Sequence, residues 1–304
     1  MSRPVAAIYV KLVLTMFFWG GTFVAGRSLA VSVHPFATAF LRFAIAATVL
    51  LAVLYRKYGA FPIVSRRTFL LILCLSLTGV FTYNLFFFWG LQKVDAGRAS
   101  VLIANNPVFI AIFASLFFRE RLGWIKLMGV PISVTGAVIA IARGDVASLL
   151  YGGFGFGDLL IVGCVISWVS FSLIGKIVLS ATPPLVAITY SSTIGALLLF
   201  APAVLSGMFD SISAYTFMDW AWIFFLGVFG TAVGFVWYYQ GIEKIGATRA
   251  GLFINLVPIN AISMAYFILC EPVTLSLAIG ITLVLSGVYL TNNGVPELRK
   301  ITLR

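Results

Sequence analysis

The apolar stretch from Arg98 to Glu120, RASVLIANNPVFIAIFASLFFRE, carries charge only at its ends and holds Pro107 in its interior. It occurs twice. Arg249 to Glu271, RAGLFINLVPINAISMAYFILCE, superposes on it without a gap, with Pro258 in the place of Pro107 and a constant offset of 151. Gly90/Gly241, Lys93/Lys244, Ala96/Ala247, Gly129/Gly280 and Gly136/Gly287 keep the same offset. A match sustained this far is an internal duplication, so the chain is built from two like halves.

Each copy is about as long as a bilayer-spanning helix, which needs roughly 20 apolar residues. The chain is 62% apolar and 10% charged, with a mean hydropathy of +1.10, more than a water-soluble core can use. A transmembrane β-barrel would alternate polar and apolar residues in runs of about ten. The runs here are twice that and apolar on all faces, so the expected fold is an all-α integral membrane protein whose backbone groups bond within each segment. Ten spans are predicted: approximately Tyr9–Leu29, Pro35–Leu54, Thr68–Gly90, Ala96–Phe118 and Trp124–Ala142, then Asp158–Leu179, Pro184–Leu205, Phe217–Gly241, Ala247–Cys270 and Leu275–Asn292. The first apolar run is followed by nine others and reads as a span rather than a signal peptide. The domain division is 1–143 for the first repeat, 144–157 for a glycine-rich linker, and 158–304 for the second repeat with a short cytoplasmic tail. GGFGFG in the linker resembles a phosphate loop, but no strand precedes it. Asp158 stands where it can cap the sixth helix.

Topology follows from the cations. With a cytoplasmic N-terminus, only Arg27, Lys93, Arg98 and Arg143 fall in outside loops, Arg42 falls within the second span, and the other fifteen of twenty lie on the inside. That is the positive-inside bias, with both termini cytoplasmic and the bacterial-type inner membrane as the expected location. It explains the net charge of +11 without a nucleic-acid partner. Five spans per half is odd, so the second half enters the membrane upside down. Such inverted repeats place a solute site near the midplane, and rocking about it gives alternating access. The first spans match at an offset of 149 (Trp19/Trp168, Arg27/Lys176, Pro35/Pro184), so the loops before the third span must absorb two residues.

WGGTFVAGRSL in the first span, then HPF and LRFAIA, and in each half a proline-centred span, a Glu and a Gly-x6-Gly span resemble the ten-helix branch of the drug/metabolite transporter superfamily, with two EamA domains. The resemblance covers nearly the whole chain and is strongest to aromatic amino acid exporters of the YddG type. It implies export of amino acids, aromatic or broadly apolar, and related metabolites; the alternative is a multidrug or nucleobase/purine-type exporter. Ser191 stands where the first half has Arg42, so a role of that arginine is not duplicated.

A solute site needs polar atoms and aromatics at mid-depth on facing helices. The candidates are Trp19, Thr22 and Phe23; Tyr83 and Asn84; Asn105 and Asn106; Trp168; Trp237 and Tyr239; and Asn255 and Asn260. Asparagine in hydrocarbon is costly unless bonded, and either a helix-joining or a solute-binding role accounts for it. Pro107 and Pro258 are the kink or hinge positions; each frees a carbonyl one turn earlier, which can meet a substrate. Trp124, Trp220, Trp222 and Tyr151 suit interfacial belts. Arg42 is the intramembrane charge, able to pair with a carbonyl or acid or to draw a substrate carboxylate.

All nine carboxylates fall at span ends or in loops. No proton-binding acid stands within a span, which points to facilitated diffusion or to coupling through another group. Arg98, Glu120, Arg249 and Glu271 are read as gate or orientation residues, although each Glu follows the C-terminus of its own helix, where the dipole disfavours an acid. The Arg98–Asp95 spacing allows a local ion pair, and His34 caps the second span. Cys74, Cys164 and Cys270 show no metal-ligand spacing. No cofactor, metal or catalytic set is expected: with one His and no nucleophile–base pair at depth, an enzyme is disfavoured. The expected partners are a small-molecule amino acid and the lipid bilayer.

Overall fold

The computed structural model describes residues 3–118, 124–142, 154–245, 250 and 253–293. The expectations on Glu120, Tyr151, Arg249 and most of the linker lie outside the described residues. Among the described residues the main helical segments are α1 (Arg3–Leu29), α2 (Pro35–Tyr58), α3 (Arg66–Leu91), α4 (Ala96–Phe117), α5 (Trp124–Ala142), α6 (Phe156–Leu179), α7 (Pro184–Leu205), α8 (Phe217–Ile242), α9 (Leu256–Leu269) and α10 (Leu275–Asn293). Seven are long and apolar enough to cross a membrane; α5, α9 and α10 contain shorter apolar helices. Among the described residues there is no strand. Large apolar side chains cover the exterior, among them Leu116, Phe117, Leu197 and Phe267 at 68–79% exposure, a surface that suits hydrocarbon and not water.

Caps set the helix ends. His34 accepts from the Phe36 N–H at 3.3 Å through Nδ1 and Pro35 opens α2; burial lowers the pKa of His34, which favours the neutral, accepting ring. Gly59, at φ 70°, closes α2 in the left-handed region. Ser65 caps α3 and Thr216 forms a capping box with Asp219 on α8. The two-residue difference in offset falls between the second and third spans of each half, where only the α7–α8 connection holds an extra helical turn, Met208–Ser211.

Two irregularities depart from ten plain rods. α3 widens to a π-helix over Ser76–Thr82 and α8 over Phe225–Val233, places that the 151 offset makes equivalent. α4 breaks at Ala104–Asn105 and resumes at Asn106.

Packing of the halves repeats contact by contact. α5 and α10 cross backbone on backbone: a Cβ on Gly129 would lie 2.5 Å from the Gly287 carbonyl oxygen, and one on Gly136 would lie 2.6 Å from that of Gly280. Exchanging each glycine for its repeat mate turns the first contact into the second. Likewise Gly90 meets Ile161 as Gly241 meets Leu12, both at 2.6 Å, and Gly79 meets Phe171 as Gly230 meets Thr22. In each pair residue numbers rise along one helix as they fall along the other, so partners run antiparallel. Small residues permit this approach where lipid supplies no hydrophobic drive between helices.

Gly136→Val is therefore expected to destabilise the detergent-solubilised protein by about 1–3 kcal/mol, as overpacking does. Gly175→Ala, whose Cβ would find only Leu75 Cδ2 at 3.9 Å, is expected to leave the thermal midpoint unchanged or slightly raised.

Candidate functional site

The centre of the molecule is organised by Arg42. It lies on the inward face of α2, 8% exposed. Its Nε donates to Thr231 Oγ1 at 3.0 Å and its Nη1 to Asn84 Oδ1 at 3.0 Å. Both partners sit on π-helical ground. Asn84 Nδ2 donates to the carbonyls of Val80 (2.8 Å) and Gly79 (3.3 Å), and the Thr231 hydroxyl donates to the Leu226 carbonyl five residues back at 2.9 Å. A wide turn leaves carbonyls without ordinary partners, and these two side chains supply them. One guanidinium thus ties together the equivalent wide turns of the two halves. Its partners are neutral, and among the described residues no carboxylate pairs with it. A charge held this way in a membrane interior is costly and marks function.

Aromatics flank this link on both sides. Trp19 lies 5.2 Å from the ring of Tyr238 and 5.5 Å from that of Phe235. Its repeat mate Trp168 lies 5.3 Å from Tyr83. The mate of Tyr83 is Gly234, and a Cβ there would already lie 2.7 Å from Trp19 Nε1. Thr22 packs on Gly230, beside Thr231, and gives its hydroxyl hydrogen to the Trp19 carbonyl at 2.6 Å. Trp19, Thr22, Arg42, Tyr83, Asn84 and Trp168 therefore form one connected seam across α1, α2, α3, α6 and α8.

Other predicted residues fall elsewhere. Phe23 is core, edge-on to Phe87. Trp237 faces Phe18 and lies under Lys11, whose Nζ reaches Gln240. Tyr239 packs with Leu50 and Ile188. Asn105 is engaged: Nδ2 donates to the carbonyls of Val101 (3.1 Å) and Leu102 (3.3 Å), and Oδ1 accepts from Ser133 at 2.7 Å. The carbonyls served are those six and five residues ahead of Pro107, not that of Ile103, four residues ahead, which the missing N–H leaves free. Asn106 differs: it is 7% exposed and its Oδ1 finds no hydrogen-bond partner among the described residues. Asn255 makes no capping hydrogen bond, and Asn260 packs against Gly20, with 2.6 Å between its Cβ and a Cβ built there.

At the predicted outer end the charges knit the halves together. Arg98 Nη2 pairs with Asp158 Oδ2 at 2.8 Å, both largely buried, and Asp158 Oδ2 also accepts from the Gly155 N–H at 2.9 Å. The capping role expected of Asp158 is present, and the ion pair adds to it. Arg27 reaches Asp95 at 3.6 Å, Glu271 at 4.0 Å and the Leu91 carbonyl. Glu271 does not suffer its own helix dipole. Cys270 takes a left-handed φ of 56°, the one positive value for a non-glycine residue among those described, and the chain turns so that Glu271 Oε1 and Oε2 accept from the Ala96 and Gly97 N–H groups at 2.9 and 3.1 Å. The carboxylate lands on the N-terminus of α4, where the dipole favours it. A cavity of about 90 Å³ lies beneath, between Gly97, Arg98 and Ala140 on one side and Ile262, Glu271 and Leu277 on the other. That is far below the roughly 300–1,000 Å³ of small-molecule pockets; a second cavity at this end, of about 390 Å³, lies between Phe86, Trp89, Gln92 and Lys93 on one side and Phe156 and Leu160 on the other.

Reading the sequence missed Thr231, Ser133 and the partner of Arg98. Thr231 had a faint signal, a hydroxyl at mid-span where the first half has Val80. Asp158 had none, because nothing in the chain order links it to Arg98.

Comparison with known proteins agrees with this architecture. The profile of the EamA-like transporter family matches twice, over residues 6–142 and 155–293. The chain is 28% identical over 293 residues to the uncharacterized transporter YyaM of Bacillus subtilis (strain 168), covering 96% of this chain and 95% of that one. It is 28% identical over 284 residues to a probable terminal-alkyne amino-acid exporter of Streptantibioticus cattleyicolor, covering 92% of each. A solved crystal structure 19% identical in sequence superposes with a TM-score of 0.65 over 95% of this chain and 99% of its own, which is a likeness of fold.

Asp158→Asn and Arg98→Gln are each expected to destabilise the protein by about 3–5 kcal/mol, since each leaves a buried partner uncompensated. The double variant should lose clearly less than the sum. Thermal unfolding in detergent of the three variants and the parent checks this.

Proposed function

This chain belongs to the EamA-like transporter family, and we propose that it exports amino acids, aromatic or broadly apolar ones, and related metabolites. It is a multi-pass membrane protein and a transporter, not an enzyme. In our reading its ten segments are ten spans in two inverted five-helix repeats, 1–143 and 158–304, in a cytoplasmic membrane with both termini inside. The exchange of glycine contacts between mates, always between antiparallel helices, supports a twofold axis lying across the helices. An axis across membrane-normal helices lies in the membrane plane, which is the geometry of alternating access.

The observation that carries the amino-acid reading is the seam itself. Two repeat-related tryptophans, each against a partly buried tyrosine, and neutral polar groups drawn from both halves join in one run of contacts that includes a buried cation. Aromatic walls with a few fixed polar handles suit solutes with an apolar side chain and a zwitterionic head. The similarity to an amino-acid exporter points the same way. The buried acids among the described residues are engaged, Asp158 by Arg98 and Asp219 by Ser32 and Thr216, and the partly buried Glu271 is held by the α4 N-terminus. Transport down the substrate gradient, without a proton-binding carboxylate, fits that arrangement.

Purified protein in liposomes is expected to move labelled phenylalanine or tryptophan with saturation, and to do so with no pH gradient. An absolute need for the gradient overturns the uncoupled reading; uptake of cationic dyes or purines with no amino-acid flux overturns the substrate. Asn106→Ala is expected to raise KM about 2- to 10-fold, the value of one hydrogen bond, at unchanged stability. Asn105→Ala should instead lower stability.

A further inference from the structure

We propose that the Arg42 guanidinium is the receptor for the substrate's carboxylate, and that it makes the transporter select solutes with a free α-carboxylate over their amides. This rests on the amino-acid export proposed above and adds which group on the protein reads which group on the solute.

Arginine offers five N–H donors in a planar fork. Thr231 and Asn84 each take one, from Nε and from Nη1. Among the described residues no acceptor takes the rest, and no carboxylate neutralises the charge. A hydroxyl and an amide oxygen orient a guanidinium without cancelling its charge, so the centre keeps an uncompensated cation. Structural arginines in a membrane interior normally pair with an acid or lie at span ends where they reach water. Arg42 does neither, at 8% exposure midway through the chain's own core. A carboxylate is the ligand whose geometry fits the fork, two oxygens to two parallel N–H bonds.

The location fits as well. Asn84 is next to Tyr83, which lies 5.3 Å from Trp168, and Thr231 is one helical turn from Gly234, which abuts Trp19. A solute anchored on Arg42 has aromatic surface on either side for its side chain. The second half has Ser191 at this position, 1% exposed, so the seam holds one such receptor and not two.

The two side chains that hold Arg42 also complete the wide turns of α3 and α8. A carboxylate that engages the fork competes with Asn84 and Thr231 for the same donors. Binding is thereby coupled to the two segments whose backbone bonding is already irregular, one in each half.

The test uses the full chain in liposomes, with labelled phenylalanine and with phenylalaninamide, which keeps the ring and amine and lacks the carboxylate. The parent is expected to transport phenylalanine and to be inhibited by the amide only weakly. Arg42→Gln should raise the KM for phenylalanine roughly ten- to hundredfold, the worth of a charge-assisted hydrogen bond, and leave inhibition by the amide unchanged. Arg42→Lys keeps the charge but not the fork and should fall between. Equal loss for acid and amide in these variants makes Arg42 a structural link only and overturns the inference, as does an unchanged KM for phenylalanine in Arg42→Lys and Arg42→Gln. A parent that moves no amino acid defeats the export reading itself, and this one with it.

Discussion

Hydrocarbon offers no hydrogen-bonding partner, and the departures of this chain from plain α-helix occur where its own side chains supply one. The break in α4 disturbs the bonding of the Val101 and Leu102 carbonyls; the Asn105 amide reaches both, and the Asn105 backbone N–H also bonds to Leu102. The wide turn of α3 exposes those of Gly79 and Val80, and the amide of Asn84 covers both. In α8 the Thr231 hydroxyl covers Leu226. The polar residues at mid-depth are thus divided by what they have left to give. Asn84 and Thr231 serve backbone and still present an oxygen to Arg42. Asn105 is spent on its own helix and on Ser133. Asn106, next in sequence, is not.

The duplication adds a second division. Where the halves agree, the residues pack: glycines 79, 90, 129 and 136 and their mates bring helices together at matched places. Some of the places where the halves disagree lie in the seam: Arg42 has Ser191 for a mate, Tyr83 has Gly234 and Val80 has Thr231. A symmetric scaffold needs identical contacts to be bistable between two related shapes. An amino acid, the solute proposed above, is itself asymmetric, with an acid end and an apolar end, and is not met by two equivalent sets of groups at once.

Much of this was legible in the sequence. The apolar runs and the offset of 151 locate most of the helical segments to within a few residues, because a lipid solvent punishes charge wherever it falls within a span; α9 starts at Leu256, against an expected Ala247. Arg42, Trp19, Trp168, Tyr83 and Asn84 stood out for the same reason, as groups out of place in lipid. What was not legible depends on chain geometry in three dimensions. A π-turn has no composition of its own; SLTGVFT reads as ordinary helix. The destination of Glu271 depends on one left-handed residue, Cys270, that nothing in the local sequence demands. Trp237 and Tyr239 bracket the seam residue Tyr238 in sequence, yet successive positions on a helix point about 100° apart, so only the middle one meets Trp19.

The outer charge cluster bears on how the two halves move. Four of its groups belong to the first half and two to the second: Arg27, the Leu91 carbonyl, Asp95 and Arg98 against Asp158 and Glu271. Its strongest elements cross between halves, namely the Arg98–Asp158 pair and the Glu271 bonds to the Ala96 and Gly97 N–H groups. Opening this end means separating both at once, and the N–H groups of a helix terminus and a buried arginine do not release an acid into an apolar gap without water entering. The cavity of about 90 Å³ beneath them has room for a little water and none for a solute. Hydration of that space is the step that makes the separation affordable. On the proposed alternating access, these charges hold this end together until water reaches them, so a part-open state is unfavourable.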